Sequence, residues 1–202
     1  MEVLSVYKRT TYFLTIALLT IALFSSAIFA AENPKDKDLN EYVLDVISSF
    51  ELGAHPYKWT NDYTGVTEDL VYQDKLIGRA HPEEPGVTYC VGLTFEVFFK
   101  AMQQRNLEAG LPVEDFNGMD FDELLDFRST WYIAKSLPLD ECHMAAAIVN
   151  YGIGEQIFDF AEVKPGDFVQ IWRTTGSGHG VIFIDWVVEE DHIVGIEYWS
   201  TQ

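Results

Sequence analysis

The chain is 202 residues long, 48% hydrophobic and 22% charged, with 13 basic residues against 32 acidic ones and a formal net charge of −19. That excess repels phosphate polyanions and anionic membrane surfaces, and so excludes nucleic acid as an electrostatic partner. A 14% aromatic content exceeds that of a disordered acidic chain, and two cysteines are too few for a disulfide-dense scaffold.

In chain order, Lys8 and Arg9 precede an uncharged run from Tyr12 to Ala30 that ends in small residues. This is the three-part pattern of a secretory signal over residues 1–30, with cleavage after Ala27 or after Ala30. An uncleaved segment would instead serve as a membrane anchor, since about 20 apolar residues span a bilayer. Either way the expected location is secreted or periplasmic, and membrane contact is expected only through that segment. Removing residues 1–30 takes away Glu2, Lys8 and Arg9 and leaves the remainder more acidic still. In an oxidising compartment Cys90 and Cys142 could pair, and that is the plain structural reading of both.

Residues 31–38 form a polar leader, and residues 39–202 are the length of one domain. Leu39, Val43, Val46, Ile47 and Phe50 recur at helical spacing, with Asp38 and Glu41 placed as a capping box and Gly53 as a stop. From His55 to Tyr89 the composition is that of a long loop, with one short element around residues 69–77. A loop of this length in a compact domain is usually functional. Cys90 opens a second helix with a stripe of Val91, Phe95, Phe98 and Met102, stopped by Gly110 and Pro112. A short helix is expected near residues 120–127 and an Ala-rich one near 141–151. The period then changes. Three runs, DFVQIWR, GVIFIDWVVE and HIVGIEYW, read as strands, the last two joined by the turn at residues 189–191. Helices first and antiparallel strands last predict an α+β fold with a segregated sheet.

Cys90 at the start of a buried helix is the candidate nucleophile, because unsatisfied N–H groups and the helix dipole favour a thiolate. His179, flanked by glycines at the start of a strand, is the candidate base brought from a distant part of the chain. A third polar group must orient the imidazole, and Glu197, Ser200 and Gln202 are the candidates on the following strand. Alternation puts Glu197 with Trp199 on one face and Tyr198, Ser200 and Gln202 on the other. His81 reads as a solvated loop histidine, His55 as a loop residue before a proline, and His192 as exposed by the turn. His143 beside Cys142 cannot form a nucleophile and base contact, because adjacent helical residues point apart. The acidic stretch from Glu114 to Asp126 lacks the spacing of a calcium loop and reads as a solvated face.

YCVGLTFEVF resembles the DCSGLV-type nucleophile helix of the NlpC-like cysteine peptidases, a papain-like group that includes the CHAP amidases. AHPYKW at residues 54–59 is similar to the family's PYxWG element, with Tyr57 at the position that lies beside the active site. VKPGDFVQIW and GHGVIFIDW resemble the family's LKPGDLVFF and HVGIYLG segments, which places His179 at the catalytic histidine. The CHAP branch carries an acidic or amide residue on the next strand, here near Glu197. Tyr89 and Val91 depart from the polar neighbours usual around the cysteine, and the family's sheet continues beyond the point where this chain stops, so a truncated C-terminus is expected.

The resemblance implies a papain-like fold over residues 39–202. It further implies an amide-cleaving thiol hydrolase without metal or other cofactor, acting on peptide or peptidoglycan through catalytic Cys90, His179 and Glu197 with Tyr57 at the oxyanion or substrate. The alternatives are a non-catalytic secreted binding domain on the same fold and a thiol acyltransferase.

Overall fold

In the computed structural model, residues 37–133, 142–174 and 177–201 are described; the expected signal and leader fall almost wholly outside them. The described chain is α+β, with four α-helices and a C-terminal three-stranded antiparallel sheet. No helix among the described residues is long and apolar enough to cross a membrane.

Helix α1, Leu39–Ser48, begins with the expected capping box, in which Asp38 accepts from the Glu41 N–H and Glu41 accepts from the Asp38 N–H. These bonds satisfy orphan donors of the first turn. Strands β1, Leu70–Tyr72, and β2, Lys75–Gly78, form a hairpin inside the expected loop. Helix α2, Cys90–Ala109, is the central element, and it ends at Gly110 in the left-handed conformation. Helix α3, Phe121–Trp131, runs four residues further than the sequence suggested, and helix α4 spans His143–Asn150. Strands β3, Phe168–Trp172, β4, Gly178–Glu189, and β5, His192–Trp199, lie in the order β3-β4-β5.

Two apolar clusters fix α2. On one side Phe95 and Phe98 meet Phe127 and Trp131 of α3, with the Phe98 and Phe127 rings stacked at 4.8 Å. On the other, Val97 and Ala101 pack with Tyr42, Val43, Val46 and Ile47 of α1 and with Ile182 of β4. Burial on both sides explains why a helix of such mixed apolar residues is stable: tertiary packing holds it, not a single amphipathic stripe. One charge sits inside this core. Glu96 is fully buried, and its carboxylate accepts from the Thr67 N–H and hydroxyl and from Lys100 Nζ, each at 2.6 Å. A buried carboxylate needs such partners, and here they tie the loop before β1 to the middle of α2.

The PGD turn joins α1 to the sheet. Asp167 accepts from the Lys164 N–H at 2.8 Å and from Asn40 Nδ2 at 2.7 Å. Gly166 has φ +94°, and a side-chain carbon there would lie 2.6 Å from the Asn40 carbonyl oxygen, so only glycine fits. The β4–β5 hairpin turns through Glu190 and Asp191, both at positive φ, as a two-residue primed turn requires.

Candidate active site

The N-terminus of α2 is where three distant segments meet. Tyr57 bridges to Thr88, with Lys58 N–H donating to the Thr88 carbonyl at 2.8 Å and Thr88 N–H to the Pro56 carbonyl at 3.1 Å. This places the Tyr57 segment alongside the two residues before Cys90. The far end of β5 closes on the same place: the Thr201 hydroxyl donates to the His55 carbonyl at 2.9 Å, and the Ser200 hydroxyl to the Gly180 carbonyl at 3.1 Å. Strand β4 arrives from the sheet. A side-chain carbon on Gly180 would lie 3.4 Å from Thr94 Oγ1 and 3.5 Å from Val91 Cγ1, so the residue next to His179 touches the first turn of α2.

Cys90 is buried and carries a free thiol, as does Cys142; no disulfide joins them. The N-cap residue Tyr89 makes no side-chain capping bond, so the first-turn N–H groups of α2 are left for a thiolate or an oxyanion. The Tyr89 ring turns into an aromatic cluster, 4.5 Å from Trp59 and 5.3 Å from Tyr63. An aromatic residue therefore stands where the resemblance expects a polar one, and it builds a wall beside Cys90. Trp59 forms the outer layer of that wall and is exposed. Tyr57 is half exposed, and its hydroxyl is pushed up by burial and by Cys90, with Arg173 opposing. It therefore stays protonated at neutral pH and can donate.

His179 is 5% exposed. Burial lowers its pKa, and Arg173 lowers it further. The ring is accordingly neutral at pH 7, the state a base requires. Because Gly180 faces α2, alternation turns the His179 side chain to the face that carries Tyr198, whose ring lies 6.1 Å away. His179 Nε2 is buried without a hydrogen-bond partner, and no hydrogen bond among the described residues joins the imidazole to Cys90.

Glu197 is not brought to this site. It is exposed and pairs with Asp185, six residues along β4 from His179 and therefore roughly 20 Å away. The β5 neighbours of His179 lie toward Ser200 and Thr201; Gln202 falls outside the described residues. Arg173, at the end of β3, is the site residue that the sequence did not single out. Its only signal there is its place as the last residue of the run DFVQIWR. Among the described residues no group of histidine, cysteine and carboxylate side chains is disposed to hold a metal ion.

Compared with protein-family models, with curated proteins and with solved structures, the chain finds no significant match.

Proposed function

We propose that this chain is an exported, papain-like thiol hydrolase that cleaves an amide bond in peptide or peptidoglycan. The observation that carries the proposal is the convergence at one helix N-terminus of Tyr57, an unpaired Cys90 and the strand that begins with a buried, neutral His179.

In the reaction, the Cys90 thiol gives its proton to His179 and the sulfur attacks the substrate carbonyl carbon. The first-turn N–H groups of α2 and the Tyr57 hydroxyl donate to the resulting oxyanion. The carbon–nitrogen bond breaks as the imidazolium returns the proton to the leaving amine, and water then releases the acid from the thioester. Burial, with Arg173 in support, keeps the free imidazole deprotonated. For this transfer the imidazole has to swing around the start of β4 toward the thiol once substrate is bound. Exposed Trp59 supplies an apolar face for a sugar ring or a side chain.

The experiment is release of new amine termini from purified peptidoglycan and from model peptides by the wild type and by Cys90→Ala. Release that falls on the order of 10³-fold or more with the substitution supports the proposal. The orphan Nε2 and the absence of a described carboxylate behind it favour a second reading, a binding domain without turnover. That reading requires equal ligand affinity in both proteins and no release by either.

A further inference from the structure

A cleft of about 200 Å³ opens between residues 61–64 and strand β2, lined by Asp62, Tyr63, Thr64, Ile77, Arg79 and Arg128 among others. Two arginines line this one small cleft in a chain with 13 basic residues and a charge of −19. Three lysines are paired with carboxylates: Lys37 with Asp45, Lys58 with Glu84, and Lys100 with Glu68 and Glu96. No described carboxylate forms an ion pair with Arg79 or Arg128, Asp62 included.

Arg128 is already oriented. One of its N–H groups donates to the Ile77 carbonyl, and its guanidinium carbon lies 5.7 Å over the Tyr132 ring. A guanidinium carries five donors, so this arrangement leaves others to serve a ligand. Arg79 is exposed beside it, and its backbone is held by mutual bonding with Thr64. The volume is below that of a drug-sized pocket, roughly 300–1,000 Å³, and suits one small group. Planar donor forks match carboxylate and phosphoryl oxygens in geometry and charge.

We infer that this cleft binds a small oxyanion, the carboxylate end of a peptide or a phosphoryl group, with Arg128 as the oriented donor and the exposed Arg79 as the second. The site is separate from the thiol chemistry and holds whether or not Cys90 turns over a substrate. A local pair of cations is also what an anion needs to approach a surface that otherwise repels it.

The test titrates the full chain by isotope-edited NMR with acetyl-Ala-Ala, with its C-terminal amide and with inorganic phosphate, in the wild type, Arg79→Gln and Arg128→Lys. Saturable binding of the free acid or of phosphate, weakened about tenfold or more in each variant and absent for the amide, supports the site, and the tighter anion names the source. No binding of either anion up to about 10 mM, equal binding of acid and amide, or unchanged binding by Arg79→Gln overturns it. Should Arg128→Lys fail to fold, the exposed Arg79→Gln decides alone.

Discussion

Gly92 lies so close to Thr64 that a side-chain carbon on it would sit 2.4 Å from the Thr64 carbonyl oxygen and 2.5 Å from the Gly65 backbone. Two residues after Cys90, helix α2 thus presses directly on the loop that leads to the hairpin. Gly65 is pinned in turn, since a side-chain carbon there would meet the Tyr89 ring at 2.6 Å. Gly92→Ala should force this loop away and cost on the order of 1–3 kcal/mol. Denaturant unfolding measures it, and a loss under about 0.5 kcal/mol would show that the approach is loose.

His179 should make stability depend on pH. Its pKa is lowered in the folded protein by burial first and Arg173 second, while the unfolded chain keeps a value near 6.5. Between those values the unfolded state binds more protons. The contribution is therefore complete above about pH 6.5 and is lost as pH falls through the lowered native value. Urea titrations from pH 8 to pH 5 should show this slope in the wild type and a shallower one in His179→Gln.

A second buried histidine makes the opposite kind of prediction. His143 is fully buried against Trp172, with both ring nitrogens lacking a partner. An unsatisfied buried polar group costs about 1–3 kcal/mol, so His143→Leu should stabilise the protein by about 1 kcal/mol. For a domain of this size that is a rise of roughly 2–4 °C in Tm. A fall in Tm would mean that the imidazole does something the free structure does not display.

Glu96 should be among the costliest positions in the core. Its carboxylate holds the Thr67 backbone and hydroxyl and pairs with Lys100. Glu96→Ala leaves Lys100 with exposed Glu68 alone and frees two donors, so a loss of about 3 kcal/mol is expected in calorimetry.

Much of this architecture is legible in the chain. Asp38 and Glu41 announce α1 because the capping box is local, and Cys90 to Gly110 announces α2 because apolar spacing and a glycine stop are local too. The β1–β2 hairpin is harder, since its turn residues Gln73 and Asp74 take positive φ without the glycine or asparagine that usually signals it.

Glu197 shows where sequence reading fails at the site. Alternation assigns faces, but register decides which residues stand opposite, and register here is shifted twice, between Phe183 and Asp185 and between Val187 and Val188. Strand β4 also starts two residues earlier than the apolar run suggests, which puts His179 at its very beginning, beyond the reach of Glu197. Arg173 was hidden for a related reason: its importance comes from the fold bringing it near both Tyr57 and His179.

The proposed role of Cys90 as a nucleophile served by His179 is tested most directly by the rate of alkylation of each cysteine across pH 5–9, resolved by mass spectrometry, in the folded wild type and in His179→Ala. Cys142 is held up by burial, with the Ala145 and Met144 N–H groups opposing, and should react slowly at neutral pH. The nucleophile role of Cys90 requires that it react faster than Cys142 at pH 7 and lose that advantage in His179→Ala. Labelling of Cys142 with Cys90 inert, or a Cys90 rate indifferent to His179, would contradict it.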